Sequence, residues 1–212
     1  YKGIYKHKNK NISCFIIEKD TPGLGIGKKE DKLGIRASDT CELYFDNCIV
    51  SENNLIGSEG QGFSIAMHAL SGGRIGIAAQ AVGLARTALE KSVFYSNERK
   101  QFGKSIGEFG AIKEKIADMA THLEAARLLV GKAAYLKDQG KKHNKESSMA
   151  KLFASKIAMD AAIECVQIHG SYGYIQDYGV ERLMRDAKIT EIYEGTSEIQ
   201  ELVISRELTK CL

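Results

Sequence analysis

Three carboxylates lie close together near the C-terminal end of the sequence, in the stretch KITEIYEGTSEIQ (188–200), namely Glu191, Glu194 and Glu198. Glu194 directly precedes Gly-Thr-Ser, at a joint between two segments with helical patterns. Ser197 and Gln200 have the spacing of a capping box, which predicts that a short helix begins there. Glu198 falls in the first turn of that helix, where a negative charge complements the helix dipole.

Helix capping does not explain Glu194, which lies before the predicted cap with a glycine behind it. The first N–H groups of the following helix have no intrahelical acceptor. A carboxylate held on a rigid joint beside such N–H groups is a suitable general base next to an anion-stabilising pocket. Glu194 is therefore the candidate catalytic residue.

A second stretch with unusual residues is ALSGGRIGIAAQAVG (69–83), where the two glycines of SGGR (71–74) interrupt a helical pattern. Each glycine costs a helix about 1 kcal/mol relative to alanine. Glycine here either lets a ligand approach the backbone or marks a kink or a tight helix crossing. Taken alone, the stretch favours the second interpretation.

Two further stretches, ERKQFGKSIGEF (98–109) and QIHGSYGY (167–174), lie at the ends of predicted helices. Arg99 in the first could hold a phosphate, because a guanidinium matches phosphate oxygens, although most helix-end arginines are simply solvated. The glycine loop of the second could offer N–H groups to a ligand or merely end its helix. His169 in this loop is, by itself, better explained as a structural histidine.

The elements that must position these residues are mostly helices, and the clearest runs over 109–139. Its apolar residues recur in alternating steps of four and three: Ile112, Ile116, Met119, Leu123, Ala126, Val130 and Ala133. This is the spacing of a helix that buries one stripe, and Gly140 ends it. Similar stripes predict helices over 63–97 (Ala78, Val82, Ala85, Leu89) and 146–169 (Met149, Leu152, Phe153, Ile157, Ile163, Val166). Together they predict a mainly α fold with an antiparallel four-helix-type bundle.

The first fifty-odd residues have a different, strand-like pattern. ISCFIIEK (12–19) and TCELYFDNCIV (40–50) are strand candidates, and TPGLGIG (21–27) supplies turn residues between them. The set is too small to form a sheet core of its own, so it indicates the end of a β-barrel-like domain. We therefore expect two domains, 1–55 and 56–212.

Composition narrows the functional class. The 212 residues are 43% hydrophobic and carry a net charge of only +3, so nothing points to a polyanionic partner. No apolar run is long enough to cross a membrane. The five cysteines have no CxxC spacing and no clustered histidines, which favours free thiols and argues against a metal site. The chain opens on Tyr1 without a targeting pattern, and we expect it to be a piece of a longer protein.

The unusual stretches together resemble one family, the acyl-CoA dehydrogenases, and within it the short-chain, butyryl-CoA dehydrogenase-like branch. The matching pieces are KKEDKLGIRASDTCELYFDNCIV (28–50), GQGFSIAMHALSGGRIGIAAQAVGLARTALE (60–90), ERKQFG (98–103), QIHGSYGY (167–174) and RDAKITEIYEGTSEIQ (185–200). They occur in the family's order, and IYEGTSEIQ is the most specific of them. The resemblance implies the end of the middle β domain followed by the C-terminal helical bundle, without the family's N-terminal helical domain.

The resemblance also implies an activity: FAD-dependent oxidation of a short-chain acyl-CoA to a trans-2-enoyl-CoA. Glu194 would remove the α-proton, and the β-hydrogen would leave as hydride for flavin N5. Some relatives carry the base just before the arginine equivalent to Arg74, but that position is Gly73 here. An electron-transfer flavoprotein would accept the electrons, and this piece alone is expected to be inactive.

Further site residues follow only from the resemblance. It implies substrate contacts at Ser71, Gly72, Gly73, Arg74 and Gly195. It implies FAD contacts at Arg99, Gln167, Ile168, His169, Gly170, Ser171, Thr196, Ser197 and Glu198. Arg99 and the 167–171 loop would grip FAD bound mainly by a neighbouring subunit, so a homo-oligomer, usually a tetramer, is expected. The compartment would be the mitochondrial matrix in a eukaryote and the cytoplasm in a bacterium.

Three positions depart from the family's pattern, and two other functions stay open. Ser71 replaces a common aspartate, Gly110 replaces a glutamine that often touches FAD, and Ser171 replaces the second glycine of HGG. An acyl-CoA oxidase or an enoyl-CoA reductase of the same fold would keep both Glu194 and FAD. A non-catalytic helical scaffold is the third possibility, against which the intact YEGT argues.

Overall fold

A computed structural model describes residues 12–209, and their contacts divide the chain into two compact units. The first unit holds the described residues up to Lys32 together with Arg36–Leu70. The second holds Leu33–Ile35 and the residues from Ser71 onwards. The predicted mainly α fold is confirmed. Within residues 12–209, no helix has the length and apolar character needed to span a membrane.

The first unit contains two short antiparallel ribbons. Strand β1 (Cys14–Phe15) pairs with β4 (Leu55–Ile56), and β2 (Leu24–Lys29) pairs with β3 (Cys41–Phe45). The prediction for 40–50 is confirmed in β3, whereas the strand predicted over 12–19 shrinks to two residues.

The glycine-rich stretch 21–27 is the main error in this unit, because a strand begins inside it at Leu24. Gly23 does form a turn, with a φ of +86°. Gly25, however, is paired across the ribbon with Tyr44, and a β-carbon there would lie 2.0 Å from the tyrosine ring. The glycine thus makes room for a cross-strand aromatic ring, which a turn-based interpretation cannot anticipate.

The second unit is helical. Its helices are the part of α1 (Gly62–Glu98) from Ser71, then α2 (Gly110–Asp138), α3 (Asn144–His169), α4 (Ser171–Tyr174), α5 (Val180–Thr190) and α6 (Ser197–Thr209). A small hairpin, β5 (Lys100–Gln101) with β6 (Lys104–Ser105), joins α1 to α2. Helix α3 packs against α2, α5 and α6, and so it is the central element of the unit. The three long helices predicted from the apolar stripes are confirmed.

The core of this unit is built largely from alanine, in particular on α1 and α3. Buried alanines lie at 78, 81, 85 and 88 on the first helix and at 150, 154, 158, 161 and 162 on the other. Small side chains let helix backbones approach closely and leave few voids. The stripe predicted on α3 from its large residues is therefore partly wrong: Ile157 is buried, but Ile163 is 45% exposed.

The predicted interruption at SGGR is wrong, because α1 runs unbroken from Gly62 to Glu98. Two helical glycines are tolerated in so long a helix, since packing of its apolar face contributes far more than residue propensity. Their positions are explained by what lies against them.

Candidate active site

Glu194 lies on a tight turn between α5 and α6, which we call the acid turn (191–197). Its φ is +55° and that of Gly195 is +97°, so both residues are in the left-handed region. This conformation costs a residue with a β-carbon roughly 1–2 kcal/mol. The turn is closed by the N–H of Ser197, which donates to the carbonyl of Glu191 (3.1 Å). A strained conformation held by surrounding contacts is typical of functional residues.

The turn is fixed from its buried side. The side-chain amide of Gln200 donates to the carbonyls of Gly195 (2.8 Å) and Glu194 (3.3 Å). The ammonium of Lys151, on α3, donates to the same Gly195 carbonyl at 2.6 Å. Both side chains are completely buried. The predicted helix start at Ser197 is confirmed, but the capping box is wrong, because the Gln200 amide binds the acid turn instead.

The outer side of the turn faces α1 at Gly73. A β-carbon on residue 73 would lie only 2.4 Å from Oε2 of Glu194. The glycine therefore makes the space that the carboxylate occupies. Its neighbour Gly72 faces the ammonium of Lys137, which a β-carbon would approach to 3.0 Å. The predicted contact stretch 71–74 and the candidate base are thus brought together.

Arg74 is buried below this point and held by α3. Its guanidinium donates to Oδ1 of Asn144 (2.7 Å) and to the hydroxyl of Ser148 (3.3 Å), and Ser71 also reaches Asn144 (3.4 Å). Burial lowers the pKa of Arg74, while the charge of Glu194 works in the opposite direction. Asn144 and Ser148 were not found from sequence, because nothing local marks them as partners of a residue seventy positions away.

The charges around the turn form a compact set. Burial and the charge of Arg74 lower the pKa of Lys151 to about 8, against the opposing effect of Glu191, Glu194 and Glu198. The turn also presents hydrogen-bond donors. Within residues 12–209, the backbone N–H groups of Glu194 and Gly195 donate to no acceptor. A carboxylate beside two free N–H groups can take a proton from a carbon acid while the N–H groups bind an adjacent oxygen.

A second group of predicted residues meets at the C-terminal end of α3. His169 stacks on Tyr95 with ring centroids 4.2 Å apart and 19° between the planes. Its Nδ1–H donates to the carbonyl of Cys165 (2.8 Å), and burial lowers its pKa. The guanidinium of Arg99 lies 5.6 Å from the ring centre of Tyr172.

These side chains border a cavity of about 670 Å³, whose wall also includes Glu90, Lys91, Phe94, Glu98 and Tyr178. An adjoining cavity of about 190 Å³ is lined by Arg99 and by residues 168–171, where Gly170 has a φ of +61°. Gln167 is exposed and lines neither cavity. The tyrosines at 95, 172 and 178 were missed from sequence, since single aromatics on separate elements carry no pattern.

The remaining predicted residues, Thr196, Ser197 and Glu198, border a third cavity of about 300 Å³ with Lys188, Glu191 and Ile192. The pKa of Glu198 is lowered by its own backbone N–H and by the Thr196 hydroxyl. Glu198 does lie in the first turn of α6, where a negative charge complements the helix dipole. In the described part of the chain, no group of three or more His, Cys, Asp or Glu side chains could hold a metal ion.

Comparison with protein families decides the kinship of the chain. Residues 60–209 match the model for the C-terminal domain of acyl-CoA dehydrogenases, and residues 3–48 match the model for their middle domain. The chain belongs to the acyl-CoA dehydrogenase family. The family resemblance stated from the motifs is thereby confirmed, while the domain boundary at 55/56 stays a prediction.

Individual relatives of this acyl-CoA dehydrogenase family member agree. An acyl-CoA dehydrogenase of Bacillus subtilis is 59% identical over 93% of the chain and 52% of its own length. An acryloyl-CoA reductase (NADH) of Anaerotignum propionicum is 56% identical over 95% of the chain and 51% of its own length. The structure of butyryl-CoA dehydrogenase from Megasphaera elsdenii superimposes with a TM-score of 0.93 at 52% identity, covering 95% of this chain and 52% of that one. The chain thus spans about half the length of the relatives that it matches.

Proposed function

We propose that the chain is the C-terminal portion of an FAD-dependent acyl-CoA dehydrogenase that oxidises a short-chain acyl-CoA to the trans-2-enoyl-CoA. The observation that carries this proposal is the placement of Glu194. Its carboxylate lies in the space left by Gly73, on a left-handed turn whose carbonyls are bound from behind. The matched family and the butyryl-CoA dehydrogenase structure support the substrate class.

In the proposed reaction, Glu194 accepts the α-proton of the thioester on a carboxylate oxygen. The electron pair of that C–H bond becomes the new carbon–carbon π bond, while the β-hydrogen leaves as hydride with the electron pair of its own C–H bond. FAD, when bound, supplies the acceptor for this hydride at its N5 atom. The base is a general base in the usual sense, and a positioned base of this kind contributes roughly 10²–10⁴-fold to a rate.

The acidity of the α-carbon depends on how well the thioester oxygen is polarised. The N–H of Glu194 has no acceptor within residues 12–209 and belongs to the same residue as the base. We infer that it binds the thioester oxygen, which places the α-carbon close to the carboxylate. Ser71, Gly72, Gly73, Arg74 and Gly195 then form the wall against which the acyl group lies. Such fixed donors need no reorganisation during the reaction.

For FAD, we propose the cavity at the C-terminal end of α3 as the nucleotide site. Its lining includes the aromatic rings of Tyr95 and Tyr172, which suit a nucleotide base, and the guanidinium of Arg99, which suits a phosphate. Gly170 and Ser171 line the adjoining cavity, and Thr196 to Glu198 are proposed to contact another part of the cofactor. By the family resemblance, this FAD is bound mainly by a neighbouring subunit, so we propose a homo-oligomer, with the complete protein as the active form.

A second candidate function has one specific observation in its favour. The chain is 56% identical to a protein named acryloyl-CoA reductase (NADH), and the same base and flavin would run the reaction in reverse. The redox partner of the flavin therefore distinguishes a dehydrogenase from a reductase. We propose that this partner is an electron-transfer flavoprotein, which accepts electrons. The proposed compartment is the mitochondrial matrix in a eukaryotic host and the cytoplasm in a bacterial one.

The test uses the complete protein, purified with its flavin and kept anaerobic. Addition of butyryl-CoA should bleach the oxidised flavin and yield trans-2-butenoyl-CoA. Electron-transfer flavoprotein should then restore the flavin absorbance faster than air does. Fast reoxidation by air would indicate an oxidase, and NADH-driven formation of butyryl-CoA would indicate a reductase. A colourless protein, or a flavin that stays oxidised with ligand bound, would overturn the proposed function.

A further inference from the structure

Lys151 is a completely buried lysine that the sequence motifs do not mark, and it touches the acid turn from behind. We propose that Lys151 is a positioning residue for Glu194, whose ammonium holds the Gly195 carbonyl and thereby keeps the carboxylate opposite Gly73. The inference rests on the proposed function, since it assigns a supporting role in that reaction.

The contact is short and shared. Nζ of Lys151 lies 2.6 Å from the carbonyl oxygen of Gly195, and Nε2 of Gln200 lies 2.8 Å from the same atom. A carbonyl oxygen has two lone pairs, so the two donors together saturate it. Gln200 also reaches the carbonyl of Glu194, at 3.3 Å. The two carbonyls are therefore held toward the interior.

The turn needs this support because its backbone is strained. Glu194 has a φ of +55°, which costs a residue with a β-carbon free energy that contacts from the surrounding structure must offset. Without Lys151, the neutral amide of Gln200 would be the one remaining donor within residues 12–209 to the carbonyls of Glu194 and Gly195. A charged donor forms a hydrogen bond roughly twice as strong as a neutral one. The ammonium therefore supplies a restraint comparable with that of the two Gln200 hydrogen bonds together.

Stability alone is a poor explanation for a charge at this position. The described residues give the Lys151 ammonium one acceptor, although it carries three N–H groups. Burial and Arg74 both disfavour its charge, and they lower its pKa despite three nearby carboxylates. A buried charge loses its hydration, and this costs free energy unless a close opposite charge and further hydrogen bonds compensate for it. Instead, the Lys151 charge holds the turn and adds a positive electrostatic potential near its carboxylates.

The test compares Lys151→Met with Lys156→Met in the complete protein. Methionine keeps the length of the buried stem but donates no hydrogen bond. Lys156 lies on the same helix with an exposed side chain, so it controls for loss of a lysine from α3. Steady-state oxidation of butyryl-CoA and hydrogen–deuterium exchange of residues 191–197 are measured on each.

For Lys151→Met we expect kcat to fall roughly 10- to 100-fold with KM changed less than about threefold, because a misplaced base affects the transition state and not substrate binding. Exchange of the hydrogen-bonded amides in 191–197, those of Glu191, Ile192, Tyr193 and Ser197, should accelerate by about tenfold or more, as loss of a charged hydrogen bond predicts. In Lys151→Met, exchange in α2 should match the wild type. In Lys156→Met, both kinetic constants should match the wild type.

Wild-type kinetics and exchange in Lys151→Met would overturn the inference. So would faster exchange with unchanged kcat, which would reduce Lys151 to a structural role. If Lys151→Met does not fold, Lys151→Gln, with a shorter neutral donor, should show the same effects at smaller size. A wild type that leaves butyryl-CoA unchanged would overturn the proposed function instead, and the exchange of 191–197 would still decide whether Lys151 holds the turn.

Discussion

At the N-terminal end of α3, Ser148 and Lys151 are buried and bind charged or strained neighbours, whereas at its C-terminal end His169 is buried between aromatic rings. The first end supports Arg74 and the acid turn. The second end lines the cavity that is also bordered by Arg99. One helix thus contributes to two sites of different chemistry. Charged and hydrogen-bonding groups dominate the first, and aromatic rings dominate the second.

The difference fits the functions that we propose for the two sites. A proton-transfer site needs fixed charges and fixed donors, and these act strongly where water is excluded. A nucleotide site needs flat apolar faces with a cation at their edge, so a neutral imidazole suits it better than a charged one. Backbone rigidity should therefore affect activity most at the acid turn. Ring stacking and charge should affect ligand binding most at the cavity lined by Tyr95, Arg99 and His169.

Gly73→Ala is expected to have the largest effect among changes that leave every charge in place. The new methyl group would lie 2.4 Å from Oε2 of Glu194, so the carboxylate must move. A displacement of about 1 Å can cost about 10²-fold in rate. We predict a loss of this size in kcat for butyryl-CoA, measured by stopped-flow reduction of the flavin.

The matched control is Gly76→Ala, one turn further along α1. A β-carbon on residue 76 meets nothing within 4 Å, so the change should keep the wild-type rate. It should also raise the free energy of unfolding by about 1 kcal/mol, the difference in helix propensity between the two residues. Equal rates in both alanine variants would show that Gly73 has no special relation to Glu194.

At the aromatic end, Arg99→Met should weaken FAD binding by about tenfold, or ~1.4 kcal/mol. It removes the cation over Tyr172 and the proposed phosphate ligand. Titration of the flavin-free complete protein with FAD measures this, and kcat at saturating FAD should stay within about twofold of wild type. An unchanged dissociation constant would contradict the assignment of this cavity.

The two ends should also respond to pH in different ranges. Lys151 has a pKa of about 8 in the native protein against an ordinary value of 10.5, in a field set by Arg74, Glu191, Glu194 and Glu198. Between these pH values the unfolded chain binds a proton that the native protein has released, so stability rises with pH. The unfolding free energy of wild type should therefore increase relative to Lys151→Met from about pH 8 to 10.5. Parallel urea-unfolding curves at pH 7.5 and 9.5 would contradict this.

His169 should act on the acidic side, with the smallest effect. Burial lowers its pKa below the ordinary 6.5. Its stabilising contribution is therefore complete above pH 6.5 and is lost as pH falls through the lowered pKa. Relative to His169→Phe, which keeps a ring against Tyr95, wild type should lose stability between pH 7 and 5. Urea unfolding across that range measures the difference, and a constant difference would indicate that His169 is not buried as a neutral ring.

Much of this architecture could be predicted from the sequence because it is local. The stripe over 109–139 requires only the helix period, and α2 forms at Gly110–Asp138 with the predicted residues facing the core. Glu194 could be singled out because capping could not explain it. The buried face of α3 was harder, since alanines add little to an apolar pattern even where they make the core.

What could not be predicted depends on contacts between distant positions. Lys151 lies forty-four residues from Gly195, and Asn144 seventy from Arg74, so no spacing rule connects them. Gln200 was assigned to a capping box because its local spacing fits one, yet its amide forms better hydrogen bonds to the strained turn. Local rules failed most at the residues that support Glu194.

Whether Glu194 is the base is tested by single-turnover reduction of the flavin by butyryl-CoA in the complete protein, for wild type, Glu194→Gln and Glu201→Gln. Glu201 is an exposed carboxylate on α6 and controls for the loss of a charge near the turn. We expect Glu194→Gln to bind butyryl-CoA but to reduce its flavin about 10²–10⁴-fold more slowly, while Glu201→Gln matches wild type. Reduction of Glu194→Gln at the wild-type rate would contradict this expectation and place the base elsewhere.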